Sequence, residues 1–303
     1  MEVFRIRGGS PLRGKVRASG SKNATLPAFA AALLTPEPCV IENVPDLSDV
    51  RFMAEILQHL GAEVEDLGSG SWKITAGDLS SQAPYELVRK MRASICLLGP
   101  LIGRLRQARV ALPGGCVIGQ RPIDLHLKAL TNLGCAVEVD AGDILVDAKG
   151  LHGADLFLGG RHGSTVTGTA NALMATVLAP GVTHLESAAC EPEIADLCRM
   201  LVAMGARIEN TGGHRLTIHG VKSLGGCRHR IITDRIEVGT YCIASAITGG
   251  DVTVVGADAS HLGAFLDKME QSGLCFDQQN GSLRTFIDPS GLRPIELTTL
   301  PYP

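Results

Sequence analysis

Gly61-Ala62-Glu63-Val64, Gly134-Cys135-Ala136-Val137, Gly205-Ala206-Arg207-Ile208 and Gly273-Leu274-Cys275-Phe276 are one pattern written four times. The glycines stand 73, 71 and 68 residues apart. A period of that size means that one supersecondary unit is reused. Helical patterns lie ahead of the glycines, with apolar residues three or four apart. They are Val50, Met53, Leu57 and Leu60 in the first copy, and Ile194, Leu197, Leu201 and Met204 in the third. In the fourth they are Leu262, Phe265 and Met269. Each glycine then reads as a helix C-cap, and the residues after it as a strand.

Further upstream in each copy is a second helical stretch made of small and apolar residues: 24–34, 91–103, 166–179 and 239–247. Short strands follow these stretches, as in Val40-Ile41-Glu42 and Val252-Thr253-Val254-Val255. The order is of βαβαβ type. A helix that is apolar nearly all round is expected to be buried, and one with a polar face to be half exposed. The fold class expected is therefore α/β (α+β): an inside-out α/β prism of repeated units, with buried helices surrounded by sheets.

The composition is that of a globular α/β chain: 303 residues, 45% hydrophobic, 19% charged and only 4% aromatic. A net charge of −3 gives no reason to expect nucleic acid. No apolar run reaches membrane-spanning length, and Met1 to Arg7 lacks the apolar core of a signal peptide. Nine scattered cysteines point to a reducing cytoplasm. No CxxC pair is present, so no metal site is expected.

Basic residues recur where the small-residue helices begin: Lys22, Arg92, Arg161 with His162, and Arg235. A cation at a helix N-terminus works against the helix dipole. A bound anion, for which a phosphate-bearing ligand is the natural choice, would offset that cost. A neighbouring carboxylate or solvent would do the same. Lys22 sits in Ser19-Gly20-Ser21-Lys22-Asn23, where Ser21 can cap the helix, Lys22 can hold phosphate and Asn23 can meet a hydroxyl or amide.

Leu112-Pro113-Gly114-Gly115-Cys116 sets a cysteine in a glycine-rich segment. With Arg121 nearby, Cys116 reads either as a nucleophile or acid, or as an ordinary exposed thiol. Arg121-Pro122-Ile123-Asp124-Leu125-His126 then starts a helix, with Pro122 in the first turn. Glu191 occupies the matching place in the third copy, where capping and ligand binding are both open to it.

At these residues the chain resembles the enolpyruvyl transferases along its whole length. The resembling stretches include Ser19–Ala24, Met91-Arg92-Ala93-Ser94, the Cys116 segment, 119–126, Glu191-Pro192-Glu193-Ile194 and 234–240. The resemblance implies transfer of the enolpyruvyl group of phosphoenolpyruvate to the 3-hydroxyl of UDP-N-acetylglucosamine, the first committed step of peptidoglycan synthesis, with no cofactor. It implies that Lys22 meets phosphoenolpyruvate and Asn23 the sugar nucleotide. Arg92 and Arg121 would hold phosphate or carboxylate. Cys116 would be the general acid, able to form a phosphoenolpyruvate adduct and open to alkylation by fosfomycin. Pro122, Ile123, Asp124 and Leu125 would line the uridine pocket. Glu191 and Arg235 would also face substrate. The family's Lys-x-Ser-x-Gly stretch reads Gly159-Gly160-Arg161-His162-Gly163 here, and Arg161 could replace the lysine at the diphosphate.

The resemblance divides the chain into a first domain of three repeats, 22–233, and an incomplete second one, 1–21 plus 234–303. It places the family's general-base carboxylate and two more repeats beyond Pro303. Weak or no turnover by this chain alone, uncovered apolar helix faces, and marginal solubility or self-association through the second domain are therefore expected. A sister activity, 5-enolpyruvylshikimate-3-phosphate synthase, lacks the Gly-Gly-Cys and Arg-Pro-x-Asp-Leu-His segments. A non-catalytic nucleotide-sugar-binding fragment is the alternative from another class.

Overall fold

The four repeat glycines all end helices in the left-handed region, with φ of 102° at Gly61, 82° at Gly134, 103° at Gly205 and 93° at Gly273. An L side chain is strained there, so glycine lets the chain reverse from helix to strand within one residue. The structure is a computed structural model describing residues 3–89, 91–112, 122–161, 163–210 and 213–302. The chain divides into two units, residues 20–232 and residues 1–19 with 233–301.

The chain begins with β1 (Arg13–Arg17), which belongs to the smaller unit. In the larger unit the first repeat is α1 (Lys22–Ala31), β2 (Cys39–Glu42), α2 (Ser48–His59), β3 (Glu63–Gly68) and β4 (Ser71–Thr75). A short α3 (Tyr85–Val88) leads to the second repeat, which opens with a 3-10 turn, Arg92–Leu97, running into α4 (Leu98–Leu105). It continues as β5 (Gln107–Ala111), α5 (Asp124–Asn132), β6 (Ala136–Asp140) and β7 (Asp143–Asp147). The third is preceded by β8 (Asp155–Phe157) and a small ribbon, β9 (Gly159–Gly160) with β10 (Gly163–Ser164). It comprises α6 (Val166–Thr176), β11 (Val182–Glu186), α7 (Pro192–Ala203), β12 (Arg207–Glu209) and β13 (Arg215–His219), and β14 (Cys227–Arg230) follows.

Each repeat therefore runs helix, strand, helix, antiparallel hairpin. The first strand pairs antiparallel with the second arm of its hairpin: β2 with β4, β5 with β7, β11 with β13. A strand from outside the repeat adds in parallel at the edge, β8 beside β11 and β14 beside β2. β14 thus carries the chain back to the sheet of the first repeat.

The small-residue helices form the centre of the larger unit. α1 is buried from Ala24 to Ala31, α4 from Leu98 to Gly103 and α6 from Gly168 to Thr176. Gly99 shows why small residues are needed: a Cβ there would stand 2.6 Å from the Asn171 carbonyl oxygen. The amphipathic helices and sheets close over this centre with Phe29, Leu33, Ile41, Met53, Ile74 and Leu101 fully buried. Each such side chain contributes about 1.5–3 kcal/mol of burial free energy.

The smaller unit contains α8 (Arg235–Thr248), β15 (Asp251–Val255), α9 (Gly263–Gln271), β16 (Leu274–Gln279) and β17 (Ser282–Ile287). Its sheet runs β1-β15-β17-β16, with β1 parallel to β15. Val238, Cys242, Val254, Leu274 and Leu283 form its core. Here the general expectation of a buried first helix holds for one face only, and the second domain was expected to leave apolar helix faces uncovered. Ile236, Ile243 and Ile247 of α8 are 55%, 44% and 74% exposed. Within this unit α8 has its own sheet and the 259–271 segment to pack on, and they cover one face only.

Candidate active site

Lys22 is the first residue of α1, and Asn23 beside it is exposed. Ser21 caps this helix as its sequence predicts: its hydroxyl accepts from Ala24 N–H at 3.3 Å. Lys22 Nζ lies 2.9 Å from Asp49 in the first turn of α2, with both side chains more than a third exposed. A surface pair of this kind contributes little to stability, so the ammonium remains exchangeable for a ligand anion. α1 also packs against the 3-10 turn whose first residue is Arg92.

Arg92 is half-buried and lies close enough to His126 to act on it electrostatically. His126, buried at 2% exposure, has Nε2 2.9 Å from Thr167 Oγ1 in the first turn of α6. Its Nδ1 is buried with no hydrogen-bond partner among the described residues. The tautomer with its proton on Nε2 leaves only a lone pair unmatched, and Nε2–H then donates to Thr167. Burial first, and then the Arg92 charge, lower the imidazole to about 4, so the ring is neutral near pH 7.

This contact ties the first turn of α5 to the first turn of α6. Pro122 and Ile123 precede the helix and Asp124 opens it, with Pro122 and Asp124 exposed. Leu125 packs on the β9–β10 ribbon, its Cδ1 3.0 Å from where a Cβ on Gly160 would stand. Arg161 follows Gly160 and is exposed at the ribbon's turn, short of the α6 N-cap Thr165. It is therefore a hairpin residue and not a helix-start cation.

The start of α6 reaches the third repeat's loop as well. Ala189 N–H donates to Thr169 Oγ1 at 3.0 Å, which brings Glu191, the half-buried N-cap residue of α7, to the same end. No capping hydrogen bond from the Glu191 side chain is seen, so its carboxylate is not explained as a cap. Arg92, the 122–125 segment, the Arg161 turn and Glu191 thus share one region of the larger unit. Arg235 is the first residue of α8 in the smaller unit, after the Asp234 cap. Cys116 and Arg121 lie outside the described residues.

Sequence reading missed Asn171, Thr167 and Thr169. A lone amide inside the apolar run Ala170-Asn171-Ala172-Leu173 was the available signal. A cleft of about 790 Å³ lined by Gln82, Arg106, Arg109, Glu138 and Lys149 contains none of the candidate residues. Among the described residues no group of three His, Cys, Asp or Glu could hold a metal, and no helix is long and apolar enough to cross a membrane.

The family model described as EPSP synthase (3-phosphoshikimate 1-carboxyvinyltransferase) matches residues 6–303. A UDP-N-acetylglucosamine 1-carboxyvinyltransferase of Methylacidiphilum infernorum is 51% identical over all of this chain and 72% of its own length. One of Akkermansia muciniphila is 47% identical with the same coverage. Among solved structures, the enolpyruvyl transferase NikO from Streptomyces tendae superposes with a TM-score of 0.86 at 25% identity, over 98% of this chain and 70% of that one. The EPSP synthase of Acinetobacter baumannii shares the fold at a TM-score of 0.69 and 19% identity, over 96% and 68%.

Proposed function

Because the chain belongs to the EPSP synthase family, the enolpyruvyl transferases, we propose that it transfers the enolpyruvyl group of phosphoenolpyruvate to the 3-hydroxyl of UDP-N-acetylglucosamine and releases phosphate. The observation that carries this reading is the whole-chain likeness, at 51% and 47% identity, to proteins named for that reaction. The reaction consumes two cytoplasmic metabolites, so the cytoplasm is its proposed compartment.

The sugar hydroxyl adds to C2 of phosphoenolpyruvate while C3 gains a proton. Loss of phosphate and of a C3 proton then restores the double bond. Cys116 is assigned the proton delivered to C3. Lys22, Arg92 and Arg121 are assigned the phosphate and carboxylate charges, where fixed cations favour the transition state. Asn23 and the Pro122, Ile123, Asp124 and Leu125 segment are assigned the sugar nucleotide, with Arg161 at its diphosphate and Glu191 and Arg235 as further substrate contacts. The neutral, buried His126 supports this assignment, because it holds the 122–125 segment against α6 without adding charge beside Arg92.

The test is phosphate release with both substrates, read together with the mass of Cys116. A phosphoenolpyruvate adduct that depends on the sugar nucleotide and is absent in Cys116→Ser is the expected result. Sugar-nucleotide binding without adduct or phosphate release would favour the non-catalytic binding reading. Use of shikimate 3-phosphate as acceptor would move the chain to the sister activity.

A further inference from the structure

Cys39 opens β2 and Cys227 opens β14, and the two are Cα partners in that parallel pair. Adjacent strands lie about 4.7–4.9 Å apart. That falls inside the Cα separation of about 4.4–6.8 Å that a disulfide requires. The two thiols face each other closely enough to hydrogen-bond, neither is in a disulfide, and Cys39 Sγ also lies 4.0 Å from the Glu37 carbonyl oxygen. Cys39 is fully buried while Cys227 is half-buried, so one sulfur is open to a small solute and the second waits behind it. Sequence pattern places Cys227 on a hairpin; it lies instead on the parallel edge strand, and only there can it face Cys39.

We propose that Cys39 and Cys227 form an oxidisable dithiol that a hydroperoxide converts into an intrachain disulfide. The Cys227 sulfur attacks a peroxide oxygen, the O–O bond breaks, and water leaves Cys227 as a sulfenic acid. The Cys39 sulfur then attacks the Cys227 sulfur, the S–O bond breaks and a second water leaves. Two thiols and one hydrogen peroxide become one disulfide and two waters, the sulfurs giving up two electrons. The mutual hydrogen bond holds Cys39 below the usual thiol range and, with burial, pushes Cys227 up. The thiolate is the nucleophile, so Cys227 passes its proton to Cys39 before it attacks the peroxide.

The bond would fasten an edge strand. β14 runs on to Ile232, whose carbonyl accepts from the Ser21 N–H at 2.8 Å, one residue before Lys22. Oxidation therefore locks the strand that supports the start of α1.

The experiment treats the reduced full chain with hydrogen peroxide in native buffer, alkylates the remaining thiols and maps the peptides by mass. A Cys39–Cys227 linked peptide is expected, cleaved by reductant, absent in Cys227→Ser, and lost among mixed pairings when the chain is oxidised unfolded. The thermal midpoint should rise by roughly 5 °C or more. The proposal is overturned if Cys227 proceeds to sulfinic acid while Cys39 stays alkylatable. It is equally overturned if both stay reduced at a dose that oxidises free glutathione, or if Cys227 joins another cysteine. A link without a rise in midpoint overturns the locking of β14.

Discussion

Asn171 Oδ1 accepts a hydrogen bond from Gly99 N–H at 2.7 Å, and the same amide donates to the Ile95 carbonyl at 3.0 Å. Ile95 and Gly99 are four apart, the spacing of an α-helical bond. The side chain of α6 has entered the backbone ladder of its neighbour at the point where the 92–97 turn becomes α4. The tight first segment that carries Arg92 is thereby set by a residue 79 positions further along the chain.

Asn171→Ala leaves the Gly99 N–H and the Ile95 carbonyl buried without the partner they now have. A loss of about 2–4 kcal/mol is expected, seen as a lower denaturant midpoint. Asn171→Asp keeps the acceptor but sets a buried carboxylate against the Ile95 and Thr167 carbonyls, so it should be no more stable than the Ala variant. A midpoint unchanged in the Ala variant would show that the ladder closes directly between Ile95 and Gly99.

His126 should make stability depend on pH. Its folded value of about 4 lies below the ordinary 6.5. Between these values the unfolded chain binds a proton that the folded chain refuses, so stability is full above about pH 6.5 and falls as pH drops toward 4. The shift corresponds to about 3 kcal/mol at the low end. His126→Gln keeps a donor for Thr167 and removes the titration. Its denaturant midpoint should fall less steeply between pH 6.5 and 4 than that of the parent, and an identical slope would refute the assignment.

Local signals carried most of the architecture. Periodic apolar residues ending in Gly61, Gly134, Gly205 and Gly273 mark helix-to-strand reversals, because both helix face and cap are local. The second hairpin arms went unread, although each of three hairpins turns at a residue-glycine pair with positive φ: Ser69-Gly70, Ala141-Gly142 and Asn280-Gly281. At the site, residue types were legible while their partners were not. His126 meets Thr167 across 41 positions, and no periodicity encodes such a pair. The exposed face of α8 shows the limit of the pattern itself: apolar character shows what a helix can bury, while burial depends on what packs against it.

That face yields a third expectation. Ile236, Ile243 and Ile247 recur at helical spacing and are all exposed. Association of the chain with itself through α8 should therefore appear in sedimentation as a mass that rises with concentration. Ile243→Glu with Ile247→Glu should remove the rise while leaving the folded core of α8, Val238 and Cys242, intact. The same concentration dependence in parent and variant would place association elsewhere.

Lys22→Ala separates a binding role from a structural one. The Lys22–Asp49 pair spans 2.9 Å at a surface where both side chains meet water. Such pairs contribute about 0–1 kcal/mol, so the thermal midpoint should move little. If Lys22 holds phosphoenolpyruvate, the rate of adduct formation at Cys116 should fall roughly 100-fold or more, while calorimetry finds UDP-N-acetylglucosamine binding within about threefold of the parent. Asp49→Asn removes one competing carboxylate and keeps the ammonium, so adduct formation there should persist. Equal losses of adduct formation and sugar-nucleotide binding in Lys22→Ala would mean that the residue positions the start of α1 and does not hold the anion.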